Sequence, residues 1–221
     1  MNTPLPPPAA SPAPLEPVTL RGLHVRLEPL SLAHVTALVA VATGPRDTYA
    51  FTHVPADEAS MRRYVEFALA AQSQSVALPF ATVSLPSGRV VGCTRFGNIE
   101  YFGWPDSKPR RPPRCPDAVE IGWTWLAQDA QRTAVNSEAK LLMLTHAFER
   151  LCVCRVNLRT DARNRRSRTA IERLGASLDG VLRAHTPASD GAGIRDTATY
   201  SILAGEWPRV KMALQASLAR P

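Results

Sequence analysis

The run Val119-Glu120-Ile121-Gly122-Trp123-Thr124-Trp125-Leu126, together with the loop and the helix after it, decides the fold. Residues 118–126 form a short, largely apolar run of the length typical of a buried strand. A polar segment follows at 127–135, and from about residue 136 to 151 apolar side chains recur at helical spacing. A strand that passes through a polar loop into a helix exposes free N–H groups and the positive end of the helix dipole, so this place could bind phosphate.

Strands and helices alternate on both sides of that run. We predict strands at residues 24–28, 78–85, 89–96, 118–126, 155–160, 178–184 and 196–203. We predict helices at residues 31–42, 57–72, 136–151, 166–174 and 206–219. The order β α α β β β α β α β β α is typical of a mixed α/β sheet of the α+β class. It predicts one domain from residue 18 to residue 221.

Composition limits the classes of protein to which the chain can belong. Hydrophobic residues make up 45% of its 221 residues and charged residues 20%, which allows a packed core. No apolar run approaches the roughly 18 residues of a membrane span. The first residues lack the basic and then apolar pattern of a secretory signal, so we expect a cytoplasmic protein. Residues 1–17 contain seven of the 20 prolines and almost no charge, so we expect a disordered tail there.

The net charge of +7 raises the question of a nucleic-acid partner. Seven arginines lie between Arg155 and Arg173. The proline-rich stretch 101–117 carries four further positive charges, which either guide an anionic ligand or are simply solvated. Binding of RNA or DNA would also need a recognition motif and stacking aromatics. No such motif is visible and aromatic residues are only 6% of the chain, so we expect no nucleic-acid role.

Three segments carry a resemblance to a known family. The quoted strand, the loop Gln131 to Asn136 and the helix beginning Ser137-Glu138-Ala139-Lys140 resemble the acetyl-CoA motif of the GNAT N-acetyltransferase superfamily. The run from Asp161 to Ala176, with Asn164 and Ser167, resembles the second half of that motif. The closing residues 196–203 and Glu206-Trp207 are similar to the RimJ/RimL-like branch, which acetylates protein N-termini and various small amines. The resemblance implies the GNAT fold, a central twisted and mostly antiparallel sheet flanked by helices.

The resemblance also implies acetyl-CoA as the cosubstrate. The backbone of the strand end would pair with the pantetheine arm, and one N–H would polarise the thioester carbonyl. The strand residues concerned are Trp123, Thr124, Trp125 and Leu126. The loop would cradle the pyrophosphate through Gln131, Arg132, Thr133, Ala134, Val135 and Asn136. Asn164 would bind the pantetheine arm. No metal is expected, because Cys93, Cys115, Cys152 and Cys154 lack the paired spacing of a zinc site.

The loop departs from the family pattern at two positions. The family loop is usually Gln/Arg-x-x-Gly-x-Gly/Ala, and here Ala134 holds the first glycine position and Asn136 the second. Glycine is favoured where the backbone must approach a phosphate closely. Alanine adds only a methyl group, and asparagine tolerates left-handed backbone better than most residues. Asn136 could instead be the N-cap of the helix that follows.

Three residues are candidates for the chemistry. Ser167 matches the position where RimL-like enzymes place a serine near the leaving sulfur, although it could equally be the N-cap of the helix at 166–174. Glu120 is a candidate general base, as a carboxylate at this end of the strand is in some GNAT enzymes, or else an exposed acid at a strand end. His185 is a second candidate base, because histidine as a residue type suits proton removal near neutrality, or it is simply a surface histidine.

Three functions compete on this reading. The first is an acetyl-CoA-dependent N-acetyltransferase that transfers the acetyl group directly to a primary amine of a small molecule or of a peptide N-terminus. The second is a non-catalytic CoA-binding or regulatory protein, which the altered loop favours. The third is a basic ribosome- or RNA-associated factor. A homodimer is compatible with the resemblance, because GNAT proteins commonly dimerise, but nothing in the sequence identifies an interface.

Overall fold

The computed structural model describes residues 11–43, 46–106 and 111–219. They form one sheet in which eight strands lie in the order β1-β2-β3-β4-β5-β6-β8-β7. The strands are β1 (Leu20–Arg21), β2 (Val25–Pro29), β3 (Leu78–Ser84), β4 (Val90–Glu100), β5 (Ala118–Leu126), β6 (Arg155–Asp161), β7 (Ser177–Pro187) and β8 (Ile194–Leu203). Neighbouring strands are antiparallel except β5 and β6, which run parallel because a helix crosses between them. The predicted mixed α+β fold is confirmed.

Five α-helices cover this sheet in the described part of the chain. They are α1 (Val35–Val41), α2 (Glu58–Ser73), α3 (Ala134–Thr145), α4 (Arg165–Arg173) and α5 (Trp207–Leu218). The helix α3 continues into one π-helical turn, His146–Arg150. Among the described residues, none of the helices combines the length and the apolar character that a membrane crossing requires.

Two apolar clusters form the core, one on each face of the sheet. The face under α3 and α5, which we call the closed face, contains the larger cluster, with Met143, Leu144 and Ile202 fully buried. Trp207 of α5 stacks on Phe148 there, with 5.3 Å between the ring centroids. On the opposite face, α1 and α2 cover the second cluster, which lies against β3, β4 and the end of β5.

The same opposite face changes character along β5, β6 and β8. Alternate residues of β6 and β8 belong to the closed-face core, so the residues between them point the other way. Those other residues are polar. We call this part of the sheet the polar face, and its members include Glu120, Asn157, Arg159, Thr197, Thr199 and Ser201.

A carboxylate of α3 anchors the turn between β1 and β2. The backbone N–H groups of Leu23, His24 and Val25 donate to Glu138 over 2.8, 2.6 and 2.9 Å. The approach is close, because a Cβ atom added at Gly22 would lie 2.3 Å from the Glu138 carboxyl carbon. A glycine at 22 therefore lets the carboxylate reach three donors at once, and this fixes α3 against the edge of the sheet.

The N-terminal segment differs from the expected tail. Residues 11–17 form no helix or strand, as their prolines predict, but they pack on the domain. Leu15 is 5% exposed, its N–H donates to the Arg114 carbonyl, and the Ala13 N–H donates to the Arg150 carbonyl over 2.8 Å. A proline-rich segment cannot form a ladder, yet it can bury one apolar side chain, so the packed region begins before residue 18. Residues 1–10 of the predicted tail lie outside the described residues.

Candidate active site

The strands β5 and β6 separate in the middle of the sheet. Their pairing covers only three positions and ends at Glu120 opposite Asn157. Beyond that point β5 pairs with β4 and β6 pairs with β8, so the inner edges of the two strands diverge. We call the opening between residues 121–126 of β5 and 158–161 of β6 the cleft. Backbone N–H and C=O groups along its two edges have no partner strand.

A β-bulge lies on the β5 side of the cleft. The register places Cys93 opposite Trp125 and Arg95 opposite Gly122, so β5 has one residue more than β4 over this span. Trp123 adopts a positive φ of 50° there. The indole of Trp123 lies over Gly97, where an added Cβ atom would approach Trp123 Cζ3 to 2.3 Å. The bulge therefore turns this tryptophan onto β4.

The side chains at the end of β5 have partners away from the cleft. Thr124 accepts a hydrogen bond from Lys140 Nζ over 2.7 Å on the closed face. Trp125 packs edge-on against Tyr49 in the cluster under α1 and α2, with 6.2 Å between ring centroids. The Leu126 carbonyl accepts from the Tyr49 hydroxyl over 3.1 Å. Of the four strand residues expected to hold the cosubstrate, Thr124 and Trp125 would therefore act through backbone atoms rather than side chains. The Leu126 carbonyl already accepts hydrogen bonds from Tyr49 and from Gln131.

The loop Gln131 to Asn136 leads into α3 as expected, but α3 begins two residues earlier than predicted. Thr133 is the N-cap, and its Oγ1 accepts from the Val135 N–H over 3.3 Å. The alternative of Asn136 as the cap is therefore wrong, because Asn136 already lies in the first helical turn. The preceding Arg132 has a φ of 61°, which turns the backbone into the helix.

This first turn of α3 has unused hydrogen-bonding groups. The N–H groups of Ala134 and Asn136 have no acceptor within the helix, because the first turn lacks preceding carbonyls. The Oδ1 atom of Asn136 is buried without a hydrogen-bond partner among the described residues. Free amides at the positive end of a helix dipole favour an anion, and a phosphate fits this place without a charged side chain.

The helix α4 forms the other side of the cleft. Asn164 is its N-cap, with Oδ1 accepting from the Ser167 N–H over 3.0 Å. The alternative of Ser167 as the N-cap is therefore wrong; its half-buried hydroxyl lies in the first turn of the helix. Arg166 Nη2 donates to Gln131 Oε1 over 2.6 Å, and Gln131 Nε2 donates to the Leu126 carbonyl over 2.9 Å. These bonds join α4 to the loop before α3.

Groups of the protein itself hold several of the seven arginines between Arg155 and Arg173. Arg163 pairs with Asp161 over 2.7 Å and with Asp190 over 3.0 Å, and it lies over the Phe51 ring. Arg168 Nε donates to the Tyr200 hydroxyl over 2.9 Å. Arg163, Arg165 and Arg166 are all exposed, but among the described residues only Arg163 of these three has an acidic partner. The arginines beside the cleft that could still bind an anionic ligand are therefore those at the start of α4.

The basic stretch 101–117 is partly structural. Arg111 pairs with Asp117 over 2.9 Å and also donates to the carbonyls of Leu151 and Cys152. This arginine ties the stretch to the chain after α3 and is not available to guide a ligand. Lys108 and Arg110, two more of its four charges, lie outside the described residues.

Glu120 is a buried acid at the closed end of the cleft. It is 6% exposed, so the alternative of an exposed strand-end acid is wrong. Its Oε2 accepts from Asn98 Nδ2 over 2.8 Å and lies 3.3 Å from Arg159 Nε. Its Oε1 lies over Gly122, within 3.2 Å of where a Cβ would be. Burial raises the pKa of Glu120 above its usual range, although Asn98 and Arg159 act to lower it.

His185 lies on the same face as Glu120 but is exposed. It belongs to β7, near a register irregularity, and its Nδ1 lies 3.1 Å from Thr197 Oγ1. Burial is the largest influence and raises the pKa of Glu120, whereas Asn98, Arg159, Arg195 and, last, His185 act to lower it. The structure thus brings the two candidate bases to one face, with Glu120 buried beside the cleft and His185 at its solvent side.

Sequence reasoning missed three buried or partnered side chains near β5, two beside Glu120 and one on the closed face. Arg159 and Asn98 are the partners of Glu120, and Lys140 is a lysine only 6% exposed inside the closed face. Burial lowers the pKa of Lys140 to about 7. Helical spacing could have located Lys140, because it lies four residues before the buried Leu144. No local pattern marks Arg159 or Asn98. Within the described residues, no group of three His, Cys, Asp or Glu side chains could hold a metal ion.

Comparisons with known proteins agree with this geometry. The sequence at residues 24–177 matches the family model of an acetyltransferase (GNAT) domain. A GCN5-related N-acetyltransferase from Brucella melitensis has a similar structure, with a TM-score of 0.80 and 28% identity over 96% of this chain and 90% of that chain. No curated protein sequence matches the chain.

The structural neighbours include members of the RimJ/RimL branch. Mycobacterium smegmatis RimJ, solved in complex with CoA-disulfide, has a TM-score of 0.74 and 20% identity over 91% of this chain and 95% of that chain. RimL, a ribosomal L7/L12 alpha-N-protein acetyltransferase, has a TM-score of 0.70 and 16% identity over 85% of this chain and 94% of that chain. At these identities the likeness is one of fold. The family match, in contrast, covers well over half of the sequence, and the chain therefore belongs to the GNAT acetyltransferase family.

Proposed function

We propose that the protein transfers the acetyl group of acetyl-CoA directly to a primary amine, on a small molecule or at a peptide or protein N-terminus. The observation that carries this proposal is the cleft between β5 and β6. It has a helix N-terminus at one end and a buried carboxylate at the other. Membership of the GNAT family supports acetyl transfer as the class of reaction.

Acetyl-CoA fits the groups present. The free amides of the first turn of α3 and the exposed arginines at the start of α4 would hold its phosphates. The diverging edges of β5 and β6 would pair with its extended, amide-containing arm. Asn164 caps α4 with its Oδ1, so its amide nitrogen is the part that could contact the arm. When bound, acetyl-CoA supplies an activated acetyl thioester.

The chain's own groups then have three tasks. Backbone N–H groups on the cleft edge of β5 hold the carbonyl oxygen of the acetyl group and favour negative charge on it. The Ser167 hydroxyl, half-buried in the first turn of α4, donates to the sulfur. Glu120 accepts a proton from the acceptor amine, which must be uncharged to attack.

Glu120 is the better candidate for the base than His185. It is buried at the point where β5 leaves β6, and its Oε1 faces Gly122 rather than the Asn98 and Arg159 partners of Oε2. A raised pKa brings a carboxylate closer to the range in which a general base works best. His185 is exposed and bonds to Thr197, which suits a role at the solvent entrance.

The altered loop does not favour the non-catalytic alternative. Ala134 is the first residue of α3, so its backbone is helical, and an alanine adopts this conformation without strain. A glycine is not needed for the geometry of this position. The RNA-associated alternative also loses support, because the arginines at 155, 159, 163 and 168 have intramolecular partners.

The test is release of free CoA thiol from acetyl-CoA in the presence of a panel of primary amines. Turnover with at least one amine is expected, and CoA-induced thermal stabilisation without turnover on any amine would instead favour the binding protein. The Ala134→Glu variant places a carboxylate among the free amides of α3 and should abolish stabilisation by acetyl-CoA. Ala70→Glu, on the exposed side of α2, is the matched control and should keep it.

A further inference from the structure

A buried arginine beside the candidate site has no acidic partner. Arg95 of β4 is 3% exposed. Its guanidinium carbon lies 5.2 Å from the centroid of the Tyr64 ring and 4.9 Å from that of Trp123. Among the described residues, no carboxylate forms an ion pair with it. A buried charge that lacks a counter-charge is costly to keep.

The two rings offset only part of that cost. Aromatic faces attract a guanidinium, but they lie over its plane, whereas its N–H donors point outward within the plane. Arg95 also hydrogen-bonds the Tyr64 hydroxyl, but neither this bond nor the two rings supplies the negative charge that its fork of donors matches. The remaining partner that would balance Arg95 is an oxyanion from outside the chain.

Arg95 also lies on the face of the sheet that carries the proposed base. It stands opposite Gly122 in the β4–β5 register, and Glu120 shares a face with Gly122. Arg95 and Glu120 are thus a diagonal pair on neighbouring strands, and such pairs have Cα atoms roughly 7–8 Å apart. Between them, the Trp123 ring covers Gly97 and is itself 39% exposed. Trp123 therefore forms the outer wall over Arg95, next to the cleft.

The other charged groups around Glu120 have partners within the chain. Arg159 and Arg195 act on Glu120 from β6 and β8, and His185 from β7. Two further acids near this end of the sheet have partners: Glu100 is held by Arg155 over 2.9 Å and by Asn157 over 3.1 Å, and Asp179 accepts from Ser201 Oγ over 2.8 Å. Arg159 and Arg195 both act on Glu120, and Arg195 also acts on Asp161, so Arg95 is the buried cation beside this site for which the described residues supply no acid.

We infer that the acceptor is a primary amine that carries a carboxylate, and that Arg95 binds this carboxylate while the amine lies at Glu120. The inference rests on the proposed function and narrows it to one class of acceptor. Two sources share this chemistry, a free amino acid and a peptide whose N-terminal residue has an acidic side chain. Arg95 would act in specificity, because it binds the acceptor at a distance from the reacting amine.

The test uses pairs of acceptors that differ only in charge. One pair is a free amino acid and its amide; the other is a short peptide that begins with aspartate and the same peptide that begins with asparagine. The wild-type protein should prefer the acid in at least one pair, and which pair responds distinguishes the two sources. In Arg95→Gln the ratio of kcat/KM values, acid over amide, should fall roughly 30-fold. Arg95→Lys keeps the charge without the fork and should give an intermediate ratio.

Two results would overturn the inference. One is a ratio near unity in the wild-type protein for both pairs. The other is an equal loss for acid and amide in Arg95→Gln, which a purely structural role in the Tyr64–Trp123 contact predicts. Arg89→Gln removes an exposed arginine paired with Asp129 and is the control, with an unchanged ratio.

A binding measurement separates this inference from the proposed function. In the presence of CoA, the acid should raise the thermal unfolding temperature more than its amide does, and Arg95→Lys should reduce that difference. If no amine is acetylated but the acid still stabilises the protein through Arg95, the proposed function fails and the anion site stands. If acetylation occurs without discrimination by charge, the proposed function stands and the anion site fails.

Discussion

The two faces of the sheet each contain a buried charge close to β5, and the two charges have different surroundings. On the closed face, Lys140 has the Thr124 hydroxyl at 2.7 Å and the Thr94 hydroxyl at 3.5 Å, inside the apolar core. On the polar face, Glu120 has one oxygen held by Asn98 and Arg159, and the other lies beside the cleft. Burial shifts both pKa values, but only the carboxylate lies where a ligand could reach it. Changes on the polar face should therefore alter rate, and changes on the closed face should alter stability.

The largest effect is expected from Glu120→Gln. The amide is nearly isosteric but cannot accept the proton of the acceptor amine, so kcat/KM should fall by roughly 10³-fold. The wild-type pH profile should rise through a pKa above the usual range of a glutamate, because burial raises it, and this limb should be absent in the variant. The measurement is the initial rate of thiol release between pH 5 and pH 9 with one amine that the wild type accepts.

Glu100→Gln is the matched control for Glu120→Gln. Glu100 lies on the neighbouring strand and pairs with Arg155, with a third of its side chain exposed. The Glu100→Gln variant should have a rate within a few-fold of that of the wild type. Equal rates for Glu120→Gln and wild type would remove Glu120 as the base and return His185 to that role.

Glu138→Ala should produce the largest loss of stability. It leaves three backbone N–H groups at the β1–β2 turn without their acceptor, and we expect the free energy of unfolding to fall by about 3 kcal/mol. Glu138→Gln keeps an acceptor oxygen and should lose less. Urea unfolding of the three proteins measures the difference. A rate defect in Glu138→Ala with unchanged stability would contradict the proposed division between the faces.

Lys140→Met should change how stability depends on pH. The folded-state pKa of Lys140 is about 7, below its ordinary value of 10.5, because of burial. Between these values the unfolded chain holds a proton that the folded protein has released, so stability rises with pH by about 1.4 kcal/mol per unit. Below pH 7 Lys140 is charged in both states, and the full cost of burying that charge lowers the free energy of unfolding.

The Lys140→Met variant lacks this titration, so its urea unfolding curves should show less of a rise between pH 7 and pH 9 than those of the wild type. Lys211→Met is the control, because Lys211 is a partly exposed lysine paired with Glu149. It should retain the wild-type rise. Parallel pH curves for wild type and Lys140→Met would show that Lys140 keeps its ordinary pKa in the folded state.

The smallest effect is expected from Ser167→Ala. A hydroxyl that donates to the departing sulfur assists without being a strong acid, and we expect kcat to fall about tenfold. Stabilisation by CoA should persist, since the Asn164 cap uses the backbone N–H of Ser167 and not its hydroxyl. Thr169→Ala, an exposed position on the same helix, is the control. An unchanged kcat in Ser167→Ala would sink the proposed role.

Local patterns were sufficient for the elements around the cleft. The strand Ala118–Leu126 has the predicted ends, because it is a short apolar run with polar flanks. The strand β4 extends to Glu100, beyond the predicted end at residue 96, because its last part pairs with β5 through an irregular register. Such pairing depends on the partner strand and leaves little local signal.

The sequence could not predict the roles of residues whose partners lie far away along the chain. The burial of Glu120 follows from its pairing with Arg159, 39 residues later in the sequence, and from the position of Asn98 at the end of β4. Residue type also could not exclude Asn136 as the N-cap of α3, since Thr133 and Asn136 are both good caps. Only the path of the backbone decides between them, and a positive φ at Arg132 selects Thr133.

The divergence of β5 and β6 has a consequence for association. A strand border with free N–H and C=O groups is a template for pairing with other chains, and proteins usually protect such borders. Here the free groups face each other inside the sheet, and the cleft between them closes at Glu120 and Asn157. A strand from another protein would have to enter between two strands already paired on their outer sides. The chain can thus keep unsatisfied main-chain groups ready for a narrow extended ligand without offering them to β-aggregation.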